Sequence, residues 1–286
     1  MAFKRAKQST SGAALAAPVL DAGSYHARLV QIIDLGLQPG SERYPDPKPR
    51  LKFTFECMDE FCYEKAEDGT FDEENPLLEK PRFFHYECTY NPDGYMGENS
   101  NIYPVMQVLS PSFLKTGNMD EDLSELLGRP VNIVLSKYVK VGGKRKGQED
   151  NKVSGITNMK KKEFLTLKVM RDQGSPANLQ LVNEPFFFDL DDPDLETFNK
   201  LNKGNQYCDQ DKILASTQFP GSKLALLLGE EAPEDKPDSN SKAQADVDET
   251  EAELASAVER EAEEAAAAAK ATQDDALPED DDDDVF

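Results

Sequence analysis

Apolar residues recur at every second position in several short runs of this chain, and that period predicts β-strands. In Tyr25–Leu37, Tyr25, Ala27, Leu29, Gln31 and Ile33 alternate with His26, Arg28, Val30, Ile32 and Asp34, and both sets are partly apolar. Gln38–Pro49 is a loop, broken by Pro39, Gly40, Pro45, Pro47 and Pro49. Arg50–Met58 alternates most clearly, with Leu51, Phe53, Phe55 and Cys57 on one face and Arg50, Lys52, Thr54 and Glu56 on the other. Pro81 leads into a strand at Phe83–Tyr90, where Phe84, Tyr86, Cys88 and Tyr90 share a face. Val131–Val139 sets Val131, Ile133, Leu135 and Val139 against Asn132, Ser136, Tyr138 and Lys140. A Gly-Gly-Lys-Arg-Lys-Gly loop then turns the chain into a short strand at Lys152–Asn158.

Helical signals fall between and after these runs. Ile102–Leu114 has helical character interrupted by Pro104 and Pro111. Met119–Leu127 reads as a helix with Asp120, Glu121 and Asp122 in its first turn, a stop at Gly128 and Pro130 beyond. The order strand, strand, strand, helix, strand, strand predicts a mainly β fold, a five-stranded OB barrel with its helix between strands three and four. Residues 161–228 form an α-containing accessory region. Within it Asp192-Pro193-Asp194 starts a helix whose apolar face is Leu195, Phe198 and Leu201, and Phe186, Phe187 and Phe188 dock the region on the barrel.

Charge divides the chain near Gly229. Residues 229–286 hold 22 Asp and Glu against 4 Lys and Arg, and all but one of the Phe and Tyr residues lie before them. So much like charge with so little apolar surface cannot offset the entropy of ordering, so an acidic disordered tail is expected at 229–286. Glu251–Ala271 is rich in Ala and Glu and has helical character, but Leu254 and Val258 are its only large apolar residues, too few for a packing face. Residues 1–20 read as a basic N-terminal arm rather than a signal peptide, and residues 21–160 as the barrel. No run approaches the roughly 18 apolar residues of a membrane helix, and four cysteines suit a reducing cytoplasm better than a disulfide scaffold.

The body is polarised as well. Glu56–Glu79 carries ten acids and one Lys, whereas Lys137–Lys168 carries ten bases and three acids. Catalytic signatures are lacking: Gly142-Gly143-Lys144-Arg145 is not a phosphate loop, no nucleophile elbow occurs, and His26 and His85 are the only histidines. The chain therefore does not read as an enzyme, and no cofactor is expected. Cys57, Cys62, His85 and Cys88 have zinc-ligand chemistry, yet alternation puts His85 and Cys88 on opposite faces, so buried thiols are the preferred reading and no metal is assigned.

Single-stranded nucleic acid fits the body best. An OB groove runs over strands two and three, between the loop after strand one and the loop joining strands four and five. Arg43, Tyr44, Lys48, Arg50 and Lys52 fall on one side of it, and Lys137, Tyr138, Lys140, Lys144, Arg145, Lys146 and Lys152 on the other. The bases would track phosphates while Tyr44, Phe83, Tyr86 and Tyr138 offer flat faces for unstacked bases. In the tail, Asp280, Asp281, Asp282, Asp283, Asp284, Val285 and Phe286 combine steering charge with an aromatic anchor for a basic, pocketed partner. The alternative from the overall charge of −23 is an acidic DNA mimic or adaptor that binds basic proteins and not DNA. A binder of RNA or duplex on the same barrel is a further rival.

Ala27–Gln38, Leu51–Glu60, Leu126–Leu135 and the return strand with Val153-Ser154-Gly155-Ile156 together resemble the replicative single-stranded-DNA-binding proteins of tailed bacteriophages. Asp280–Phe286 also resembles the acidic, Phe-ended tip of bacterial single-stranded-DNA-binding proteins, without the Pro that usually precedes their Phe. The resemblance implies sequence-independent coating of single strands in phage DNA replication, recombination or repair, in the host cytoplasm. It also implies recruitment of a polymerase, helicase or primase through the tail, and it leaves homo-oligomer formation open.

Overall fold

The computed structural model describes residues 15–40, 44–66, 68, 70–90, 97–98, 100–112, 122–142, 145–204 and 208–229. The chain divides into two compact units, Met1–Pro39 with Pro47–Lys236 and Gly40–Asp46 with Pro237–Phe286. The first unit holds every strand and helix described below. Arg43, Lys144, the Ala/Glu-rich segment and the acidic terminus lie outside the described residues.

The fold is mainly β. Seven strands form one sheet: β1 (Leu15–Ala16), β2 (Gly23–Gln38), β3 (Lys48–Glu64), β4 (Leu77–Thr89), β5 (Pro130–Val139), β6 (Glu149–Asn158) and β7 (Phe186–Phe188). The order across it is β4-β3-β2-β5-β6; β1 extends β3 at its Glu64 end, and β7 runs alongside Gln31–Ile33 of β2. Every ladder is antiparallel except that between β2 and β7. The sheet is not closed: β4 and β6 approach each other, but no ladder joins them among the described residues.

Each alternating run is a strand, and the ladders lengthen most of them. β3 runs on to Glu64, through the first part of the acidic insertion expected at Glu56–Glu79. Among the described residues, two short helical elements lie between β4 and β5. One is α1 (Tyr103–Leu109), which opens with Pro104, a residue tolerated in a first turn. The other is a 3-10 turn at Leu123–Leu126, where the Asp122 carboxylate accepts the Ser124 amide at 2.8 Å. The helix expected at Met119–Leu127 is thus a single tight turn over its described part. Among the described residues, β6 is followed by the helices α2 (Lys161–Asp172), α3 (Leu195–Lys200), α4 (Asp209–Leu214) and α5 (Lys223–Leu227). Asp194 caps α3 by accepting the Glu196 and Thr197 amides, as its sequence position suggested.

Two apolar cores lie on opposite faces of β2. Ala27, Leu29 and Ile32 join Leu51, Phe53, Phe55, Phe84, Val131, Ile133, Leu135, Val153 and Ile156 in the first, which α1 covers with Val105, Met106 and Leu109. Ile33 and Leu35 face the other way, into a core with Phe188, Leu190, Phe198, Leu201, Ile213, Phe219 and Leu224. A bulge between Leu29 and Gln31 shifts the pleat, which is why Leu29 and Ile32 share a face although they are three positions apart. A second irregularity lies between Asp34 and Gly36. Gly36 has φ 75°, and a Cβ there would sit 2.5 Å from Leu190 Cδ2, so both the backbone conformation and the close crossing favour glycine.

Candidate nucleic-acid interface

The ladders bring one of the two expected basic clusters together. β5 and β6 pair Lys137 with Asn151, Tyr138 with Asp150 and Ser136 with Lys152. Their connection closes with the Lys140 amide on Gln148 O at 3.0 Å and the Gly147 amide on Lys140 O at 2.8 Å, with Gly147 at φ 82°. This hairpin carries Lys137, Lys140, Arg145, Lys146 and Lys152 with Tyr138 among them; Lys137, Arg145 and Lys146 are exposed, and Lys140, Tyr138 and Lys152 half-buried. Val139 and Val141 are exposed beside the bases.

Two carboxylates sit against these cations. Lys137 Nζ donates to Asp21 at 2.7 Å, which raises the lysine above its ordinary range and lowers the aspartate below its own. Lys140 pairs with Asp150 across the hairpin. Asn151 holds the incoming chain from both sides, accepting the Leu20 amide at 2.8 Å and donating to Leu20 O at 2.9 Å. Arg82 reaches the same segment at Pro18 O and lies 5.2 Å over the Phe84 ring. Asp21, Arg82 and Asn151 carry no sequence signal, because each matters only through a partner sixty or more residues away.

The other expected cluster is dispersed. Lys48 and Arg50 are exposed at the start of β3, opposite Gln38 and Gly36 of β2. The hairpin extends from the Gly23 end of β2, so the two sets of bases attach to opposite ends of one 16-residue strand, a path of about 50 Å. Tyr44 is exposed within the Gly40–Asp46 unit. Lys52, expected in the groove, is buried instead. Its ammonium donates to both Asp209 oxygens, at 2.7 and 2.9 Å, beneath α4.

The rest of that outer face is covered in the same way. Glu56 is buried and accepts the Val182 amide at 2.7 Å, the Asn183 amide at 3.1 Å and Asn183 Nδ2 at 2.8 Å. Lys212 of α4 pairs with Glu87 of β4 at 2.6 Å. Alternation identified the outward side of β3 correctly, but that side is roofed by chain more than 100 residues further on. Tyr86 is likewise not outward. It packs against the first core and donates to Asn101 O at 3.1 Å, and burial pushes its hydroxyl up to about 12. Phe83, on the opposite face of β4, is exposed.

Near the other end of β2–β5, His26 Nδ1 lies 2.6 Å from Asp59, whose hydrogen bond raises the imidazole above its ordinary range despite partial burial. Cys57 and Cys88 are buried in the first core, and burial raises both thiols, Cys88 to about 12. Such thiols behave as small apolar groups. Among the described residues no group of three His, Cys, Asp or Glu side chains comes together to hold a metal ion. No described helix is long and apolar enough to cross a membrane. Compared with protein-family models, curated proteins and solved structures, the chain matches none of them.

Proposed function

We propose that this chain is a single-stranded-DNA-binding protein that coats strands without regard to sequence, built on a partly open OB barrel. The observation that carries the reading is the basic β5–β6 hairpin on a sheet ordered β4-β3-β2-β5-β6, with a helix between β4 and β5. Counted from β2, that order is third, second, first, fourth, fifth, the order of an OB barrel left open between its third and fifth strands. In such barrels the loop between strands four and five is a ligand-binding loop, and here it holds the densest run of bases in an acidic protein.

The resulting mechanism is non-catalytic. Lys140, Arg145, Lys146 and Lys152 neutralise phosphates, and Tyr138 on the hairpin and Phe83 on β4 offer ring faces to unstacked bases. The covered face of β3 moves the path of the strand off Lys52 and onto the hairpin. The acidic segment Asp280–Phe286 recruits replication proteins and, as a polyanion, competes with DNA for the same bases. Phage replication, recombination and repair are the settings in which such a protein acts.

The test is fluorescence anisotropy of labelled oligo-dT with full-length protein, a duplex competitor and a salt series. Binding should prefer the single strand and weaken as salt rises, because each phosphate contact releases counterions. Removal of residues 229–286 should tighten it. Affinity unchanged over a tenfold rise in salt, or equal affinity for duplex, would reject the proposal.

A further inference from the structure

We infer that the bound single strand continues past the hairpin, along β6 and onto the lysines of α2, which form a second phosphate-binding surface. The inference rests on the function proposed above and extends its site. From Lys152 to Lys162 the chain holds four lysines and no acid. β6 ends the strand order β4-β3-β2-β5-β6; the hairpin lies at its Glu149 end, and Asn158 at its other end leads into α2. Bases therefore stand at both ends of one strand, and Lys152 to Asn158 spans about 20 Å of it. Between them Ser154, Thr157 and Asn158 are exposed and uncharged.

The packing of α2 turns its lysines outward. Leu167 is buried, Phe164 lies under the Arg28 guanidinium at 5.7 Å, and Glu163 accepts from Asn132 Nδ2 at 3.1 Å and from the Lys160 amide at 2.7 Å. At 100° per residue, Lys161, Lys162, Leu165 and Val169 fall on the side opposite Leu167, with Lys168 at its margin, and all five are exposed. Both acids of the helix are engaged, Glu163 towards the sheet and Asp172 with Arg171 at 2.8 Å. Among the described residues no carboxylate pairs with Lys161, Lys162 or Lys168, whereas Asp21 and Asp150 hold Lys137 and Lys140 of the hairpin. A phosphate reaching α2 therefore displaces counterions and no internal partner. Leu165 and Val169, 49% and 54% exposed, stand among these lysines as Val139 and Val141 stand among the hairpin bases, so each end of the track sets apolar surface beside charge. Continuity with the hairpin favours a nucleic-acid strand over an acidic peptide as the occupant.

The test is anisotropy of labelled oligo-dT of about 6 and about 16 nucleotides, lengths within the site sizes of OB folds, over a salt series with full-length protein. A Lys161→Ala/Lys162→Ala/Lys168→Ala variant, altered only at exposed helical positions, should keep the wild-type melting temperature and the wild-type affinity for the shorter strand. On the longer strand its slope of log affinity against log salt should shrink by about 2, at roughly 0.7 for each lost phosphate contact. A Lys200→Ala/Lys203→Ala/Lys223→Ala variant removes the same charge elsewhere and should bind both lengths as the wild type does. A wild-type slope for the α2 variant on the longer strand would overturn the inference and leave the hairpin site standing. An equal loss on both lengths, or in the control variant, would overturn it as well, by reducing the effect to overall charge. Wild-type protein that binds neither length would overturn the proposed function and this inference together.

Discussion

Lys52 and Lys137 both lie on strands of one sheet, each 2.7 Å from an aspartate, yet their surroundings differ completely. The Lys52–Asp209 side chains are 8% and 5% exposed, roofed by α4, whereas Lys137 and Asp21 are 36% and 92% exposed on an open hairpin. Buried charges are tolerated only as a pair, because neither can recover its hydration alone. Exposed charges lose little when parted, since water and salt screen them. The same residue type is therefore an internal fastening on the covered half of the sheet and an available cation on the bare half.

The most severe way to break this contrast is Asp209→Ala. It leaves the Lys52 ammonium buried without its counter-ion and should cost about 3–5 kcal/mol of stability, read from urea or thermal unfolding. Removing both charges, in Lys52→Met/Asp209→Ala, should recover most of that loss. A small cost for the single substitution would mean that α4 lifts easily and that Lys52 is reachable after all.

Asp34 offers a second probe on the covered half. Burial, with Asp191 and Asp189 nearby, raises its carboxyl from 3.8 to about 6, against the lowering effect of the Gly36 amide it accepts. The folded form therefore holds a proton that the unfolded chain releases between pH 4 and 6, and stability falls as pH rises through that window. Asp34→Asn keeps an acceptor for Gly36. It should raise stability at pH 7 by about 1–3 kcal/mol and flatten the profile between pH 4 and 6, measured by denaturant titration at several pH values.

The mildest structural effect belongs to the hairpin. Substitution of Lys140, Arg145 and Lys146 by Ala should leave the melting temperature where it was. The slope of log affinity for oligo-dT against log salt should meanwhile shrink by about 2, at roughly 0.7 for each lost phosphate contact. A drop in melting temperature with an unchanged slope would reverse the roles assigned to the two halves.

Alternation made the strands legible because each buries at least one face of a two-residue period. Both alternating sets of Tyr25–Leu37 are partly apolar, but that pattern does not say what packs against either face of β2. Which partner covers a face was not legible. Nothing local to Lys52 distinguishes it from Arg50 two residues earlier, yet one meets Asp209 and the other meets solvent. Tyr86 and Phe83 show the same limit, since the period separates their faces without saying which faces the core.

What the sequence determined by itself is therefore local and compositional: the alternating strands, the cap at Asp194, the glycine-closed basic loop and the division of charge near Gly229. These follow from pleat geometry, backbone hydrogen bonding and charge density, all of which act over a few residues. Only the tertiary structure decided that, among the described residues, no ladder closes the sheet between β4 and β6, that β2 carries two cores, and that Val182, Asn183 and Asp209 cover charged residues on the outer side of β3. Those outcomes depend on contacts spanning more than 100 residues, where burial and ion pairing between distant segments override the preference of any one of them.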